Sequence, residues 1–134
     1  MSPNPYFIIA ALPADDMNQT DYEIKKVFNM DPEYTRTEIE KMKQSMVDAG
    51  FDFDLVLCSL KLGTQPVIDA LDKCEDCKAV ILGFGMRGHP SPKVAVLLEE
   101  LIERVRYHPK NVKIMLNWDI PSSLNAAKRA LGQE

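Results

Sequence analysis

Four short apolar runs, at residues 6–12, 55–60, 79–84 and 112–118, are nearly continuous rather than alternating in polarity. Strands that read this way are covered on both faces, the condition of a parallel sheet. The segments between them carry helical period. Ile39, Met42, Met46 and Ala49 fall on one stripe of a helix, with Thr35 and Glu38 as a capping box at its start and Gly50 as its stop. A second helix is expected over 64–73, with Pro66 in its first turn and Val67, Ile68 and Leu71 inward. The third is the most regular. Val94, Leu97, Leu98, Leu101, Ile102 and Val105 face the sheet, while Glu99, Glu100, Glu103, Arg104 and Arg106 face water, behind a Ser91 cap and Pro92. A last helix starts near 121–123, uses Leu124, Ala127 and Leu131, and ends at Gly132.

Parallel neighbours need crossovers, and right-handed crossovers wind helices onto both faces. The expected fold is therefore a single α/β domain over 1–134: a three-layer α/β/α sandwich around a four-stranded parallel sheet in order 2-1-3-4. The first crossover is oversized. Residues 13–34 add a segment with its own short helix over 20–29, opened by a second capping box at Thr20 and Glu23 and separated from the next helix by Asp31-Pro32. Val27, Phe28 and Met30 must pack somewhere, so the segment is either a lid over the sheet edge or an extra packing element.

Composition narrows the class. With 134 residues, 46% hydrophobic, 27% charged and a net charge of −4, the chain is neither disordered nor a strongly basic nucleic-acid binder. The acid excess belongs to the first half, so any affinity for anions belongs to the second. No stretch approaches the ~20 apolar residues of a membrane helix. The run 6–12 has no Lys or Arg before it and reads as a strand, not a signal peptide. The cysteines, Cys58, Cys74 and Cys77, are odd in number, which suits a reducing interior and a cytoplasmic location.

In open parallel sheets ligands bind beyond the carboxyl ends of the strands, where strand order reverses. That edge gathers Pro13, Asp15 and Asp16 after the first strand, and Ser59, Lys61, Gly63 and Thr64 after the second. The stretch from Gly83 to Pro92 follows the third, and Asn117, Trp118 and Asp119 follow the fourth. Gly83, Gly85 and Gly88 match G-x-G-x-x-G. A dinucleotide fingerprint follows the first strand and places its third glycine inside the opening helix; here His89-Pro90-Ser91-Pro92 intervene, so the geometry differs. What survives is a permissive backbone at Gly85, an arginine at Arg87, a histidine at His89 and a helix start at Ser91. That set suits a carboxylate or phosphate. In the plainer alternative, the glycines serve close strand packing and Arg87 pairs with Asp15, Asp16 or Asp119. His89 stands at the right edge for acid–base work, though loop histidines are commonly idle; His108 belongs to the opposite edge as a surface or capping residue.

Several chemistries are disfavoured. Asp15 and Asp16 resemble the acid pair of phospho-acceptor receiver domains, but Ser59, Gly85 and Asn117 stand where an acceptor aspartate and a lysine are needed. Cys74-Glu75-Asp76-Cys77 has the C-x-x-C spacing but follows a helix at the amino edge, with no second ligand pair for zinc. Cys58 reads as a small core residue and Ser59 lacks the glycines of a nucleophile elbow. No metal site is expected and no cofactor can be named. The acidic Pro13-Ala14-Asp15-Asp16 loop would repel a flavin phosphate.

The run 78–85 with Arg87, then Glu99, Leu101-Ile102, Pro109, Ile114 to Asn117 and Pro121, together with Gly50-Phe51-Asp52-Phe53-Asp54-Leu55, resembles an uncharacterised family of small bacterial and fungal α/β proteins. The similarity covers most of residues 34–125. It implies a flavodoxin-like or Rossmann-like single domain and no substrate. Gly83, Gly85, Arg87 and Asn117 are the family-like positions at the site edge, whereas Gly88-His89 and Trp118 look particular to this chain.

Two functions are expected to compete. One is a small-molecule site, for an anionic metabolite or nucleotide, built on Gly85, Arg87, His89, Ser91, Asn117, Asp119, Asp15 and Asp16. The other is a non-catalytic interaction protein, a homodimer or scaffold, that uses Phe84, Met86 and Trp118 as exposed anchors.

Overall fold

The computed structural model describes residues 4–12, 32–88 and 91–133. The short helix over 20–29 and the choice between lid and packing element therefore lie outside the described residues, as do Asp15, Asp16 and His89.

The chain runs β1 (Tyr6–Ala11), α1 (Pro32–Asp48), β2 (Asp52–Leu57), α2 (Gln65–Lys73), β3 (Cys77–Leu82), α3 (Phe84–Arg87), α4 (Pro92–Arg106), β4 (Lys113–Leu116) and α5 (Ser123–Ala130). The four strands form one parallel sheet in the order β2-β1-β3-β4. Side chains alternate across a strand, so β1 splits its apolar residues between two cores. Phe7 and Ile9 join Met42, Met46, Phe51, Ala126 and Ala127 under α1 and α5. Ile8 and Ala10 join Val67, Leu71, Val94, Leu101 and Val105 under α2 and α4. β3 divides likewise, Ala79 and Ile81 to the first core and Val80 and Leu82 to the second. The result is a three-layer α/β/α sandwich with flavodoxin-like topology. Among the described residues, no helix is long and apolar enough to cross a membrane.

Only the two central strands are buried on both faces. β2 and β4 are edge strands, part-covered along their length. This shifts β2 three residues upstream of its apolar run. Tyr6 pairs with Asp52 and Ile9 with Leu55, and the order Asp52, Phe53, Asp54, Leu55 puts acids toward solvent and apolar side chains toward α1. The Tyr6 hydroxyl donates to the Asp54 carboxylate, and Asp52 N–H to the Pro5 carbonyl at 2.8 Å. Cys58 lies one residue past the strand, fully buried, its N–H still bonded to Ala11 O at 2.9 Å.

Helix α1 begins at Pro32, a residue suited to a first turn because its missing N–H has no helical partner there. Thr35 is consequently a buried residue inside the helix and not its cap. Met42 and Met46 are buried, Ile39 is half-buried, and Ala49 is exposed in the turn that Gly50 closes at φ 79°. On α4, Val94, Leu97, Leu101 and Val105 face the sheet while Ile102 turns outward. α5 packs through Ala126, Ala127 and Ala130, and Leu124 and Leu131 sit at its margin.

Candidate functional site

The carboxyl ends of β1, β3 and β4 open onto a cavity of about 270 Å³. Its floor is apolar: Ile9, Ala11, Leu12 and Leu55. One wall is the first half of α1, where Tyr34, Glu38, Ile39 and Met42 recur at helical spacing on one side. The facing wall is the β3–α3 turn, Gly83 to Gly85, and the β4–α5 turn from Asn117 to Pro121, with Ser123 behind it.

Two close contacts shape the β3 side. Gly83 N–H donates to Ala10 O at 2.9 Å, and a Cβ on Gly83 would stand 2.9 Å from that same oxygen. Only glycine allows this approach of β3 to β1, so the first glycine of the G-x-G-x-x-G run serves strand packing. The run is also not an open loop. Residues Phe84–Arg87 make one helical turn, and Gly88 N–H closes it on Phe84 O at 2.7 Å. The turn carries Met86 inward, where it is 1% exposed in the α2/α4 core. Met86 is thus a core residue and not a surface anchor, because the helical turn puts it opposite the exposed Phe84.

Asn117 organises the β4 side. It is 4% exposed and accepts the Phe84 N–H on Oδ1 at 2.8 Å, while Nδ2 donates to Ser123 Oγ at 3.0 Å. Its own carbonyl accepts from Arg87 Nη2 at 2.5 Å. One buried side chain therefore ties the starts of α3 and α5 together, satisfying groups that burial would otherwise leave costly. The next turn is closed by reciprocal bonds: Ser122 N–H to Asp119 Oδ1 at 2.8 Å, and Trp118 and Asp119 N–H to Ser122 Oγ at 2.9 and 3.0 Å. Trp118, 55% exposed, has the Arg129 guanidinium 5.4 Å over its ring, and that arginine also donates to Leu116 O at 2.7 Å.

The structure brings Gly85, Asn117 and Asp119 together on the cavity wall. Arg87 is not in the lining. Its guanidinium is taken by the Asn117 carbonyl and lies 5.6 Å from the centre of the Phe84 ring. Ser91 stands at the N-cap of α4, away from the lining, where its carbonyl accepts from Val94 and Ala95 N–H. Tyr34, Glu38 and Trp118 line the cavity without having been expected at a small-molecule site. Glu38 carries a sequence signal that points elsewhere, as a capping partner for Thr35, and it becomes a wall residue because α1 starts earlier.

The charge in the wall is negative. Among the described residues, the lining holds two carboxylates, Glu38 and Asp119, and no Lys, Arg or His. The Glu38 side chain is 13% exposed, and its Oε1 lies 3.4 Å from the Nζ of Lys41, a residue that is itself 67% exposed. No group of three metal-ligating side chains occurs among the described residues.

The opposite, amino edge is a structural knot. His108 Nδ1 accepts the Lys110 N–H at 3.1 Å, and Nε2 meets Asp72 Oδ1 at 2.7 Å, with the ring almost fully buried. Lys110 Nζ donates to the carbonyls of Leu71, Asp72 and Cys74 at the end of α2. The cysteine pair lies nearby: Cys74 and Cys77 are both reduced, and burial, then the adjacent Cys74, pushes the Cys77 thiol up to about 12. No protein-family model, no curated protein and no solved structure matches the chain.

Proposed function

We propose that the protein binds a small molecule in the cavity at the carboxyl edge of its sheet. The observation that carries this is the cavity itself: an apolar floor and α1 wall at the strand-order reversal, with Asn117, Asp119 and Glu38 as its few converging polar side chains. The Arg87 guanidinium, on which an anionic ligand is expected from the sequence, donates one bond to the Asn117 carbonyl and lies outside the described lining. We keep the carboxyl edge as the proposed place of binding and set an anionic charge aside, because the described lining carries two carboxylates and no base. Arg87 then acts as a positioning residue for the β4–α5 turn. Membership in the family that the chain resembles belongs to the same proposal, with Gly83, Gly85, Arg87 and Asn117 as its signature at this edge.

The chain has one tryptophan, and it lines the cavity, so Trp118 emission reports on occupancy. An unbiased fragment set is expected to contain compounds that change this emission and raise the melting temperature. A ligand at a hundredfold excess over its Kd adds about 2.7 kcal/mol. Filling the floor with Ala11→Leu should abolish both responses. If no fragment alters either signal, or Ala11→Leu leaves them unchanged, the cavity is not a binding site.

A second reading, a partner-binding or self-associating module, is favoured by the exposure of Phe84 and Trp118 in the two turns of the facing wall. It predicts a complex in which both are covered. A monomer at high concentration, with Trp118 emission independent of concentration, removes its homodimeric form.

A further inference from the structure

We infer that the ligand of this cavity is a small organic cation, a protonated amine on an apolar body. The inference rests on the proposed binding in this cavity and adds the charge class. Glu38 is the observation that points to it. A carboxylate on the apolar α1 wall, beside Ile39 and Met42, is largely withdrawn from water. Burying a charge without close compensation is costly. The partner available is weak, because Lys41 is mostly solvated and its Nζ reaches only one carboxylate oxygen, at 3.4 Å. Glu38 has no other hydrogen-bond or ionic partner among the described residues. A ligand ammonium would supply a charge-assisted bond where the protein does not.

Two further features agree. The second carboxylate of the wall, Asp119, commits Oδ1 to the Ser122 N–H, and it faces the cavity from the other side. The rim is aromatic, with Tyr34, Phe84 and Trp118 in the lining, and aromatic faces attract cations. Phe84 and Trp118 already hold the guanidiniums of Arg87 and Arg129 on a ring face. Each arginine donates one bond to a carbonyl, of Asn117 and Leu116, and neither belongs to the described lining. An anionic ligand would meet two carboxylates and no base among the described wall residues.

The test uses three probes that share a phenylethyl body: 2-phenylethylammonium, 2-phenylethanol and 3-phenylpropionate, titrated at pH 7 against Trp118 emission excited beyond the probes' absorption. The ammonium is expected to bind about tenfold more tightly than the alcohol, the scale of one charge-assisted hydrogen bond, and the carboxylate most weakly. Glu38→Gln should remove most of the ammonium preference without changing the alcohol's affinity. Asp119→Asn, which retains the acceptor for Ser122, should reduce the ammonium preference by a smaller factor. Equal affinities, a preference for the carboxylate, no binding by any probe, or an ammonium preference that survives both variants overturns the cation assignment. The cavity reading is judged separately, by the unbiased fragment set and by Ala11→Leu.

Discussion

The Arg87 guanidinium donates to the backbone carbonyl of Asn117 at 2.5 Å, across thirty residues of chain and between the ends of two adjacent strands. The Asn117 side chain completes the tie by accepting from Phe84 N–H, at the first residue of the turn that carries Arg87. The two residues hold the facing wall of the cavity as one unit. Asn117→Ala leaves the Phe84 donor and Ser123 hydroxyl without their buried partner and is expected to cost about 2–4 kcal/mol in urea unfolding. Arg87→Ala removes one part-exposed bond and should cost about 1 kcal/mol. A double-mutant cycle should show coupling, because both changes act on the same turn.

Gly83→Ala places a methyl 2.9 Å from Ala10 O, a backbone atom in the centre of the sheet that cannot swing aside. Strand β3 must move away from β1, and the expected loss is about 1–3 kcal/mol, the usual range for overpacking. Gly88→Ala meets the Phe84 ring at 3.1 Å, a side chain at the surface that can yield. Denaturation midpoints should fall in that order; a neutral Gly83→Ala would show that the approach is not a constraint.

Alkaline pH should destabilise the protein more steeply than its Cys77→Ala variant. Burial, with Cys74 beside it, raises the Cys77 thiol from 9.0 to about 12. The folded state therefore keeps a proton that the unfolded chain releases first. This contribution to stability is intact below pH 9 and is lost progressively between pH 9 and 12. Cys77→Ala should flatten the decline in urea midpoint that begins near pH 9. Tyr6, also raised by burial and by its bond to Asp54, should leave a residual decline that starts above pH 10.

Lys110 closes the C-terminal end of α2 by donating to the carbonyls of Leu71 and Asp72 and of the capping residue, Cys74. A cation there satisfies acceptors that have no helical donor and opposes the negative end of the helix dipole. Lys110→Met keeps the stem and removes the ammonium. It is expected to cost about 1 kcal/mol at low salt, with hydrogen exchange accelerated at the last turn of α2. Protection that is unchanged in the variant would mean the contact is dispensable.

The topology is legible in the sequence because β1 and β3 are apolar without alternation and because α4 carries an unbroken apolar stripe. The edges are harder to read. The run 55–60 is more apolar than the strand Asp52–Leu57, and what places β2 is its pairing with β1, a long-range contact that local hydropathy does not contain. Pro32 reads as a break, but proline both ends and begins helices, and only the residues after it decide which. The same displacement hides Glu38, since a residue assigned to a cap is not expected on a cavity wall. Arg87 stands at the expected edge, but among the described residues its hydrogen-bond partner is the Asn117 carbonyl and not Asp119, and a carbonyl has no signature among side chains.

Helix α5 presents alanines to the sheet, and its first residue, Ser123, both bonds Asn117 and lines the cavity. Small side chains leave the helix close to the strands with little slack to absorb volume. A larger residue at Ala126 or Ala127 must displace the whole helix, and with it the turn from Trp118 to Ser122. The packing of this helix thus also sets the aperture of the cavity, so, under the proposed function, core positions remote from any ligand would tune which ligand fits.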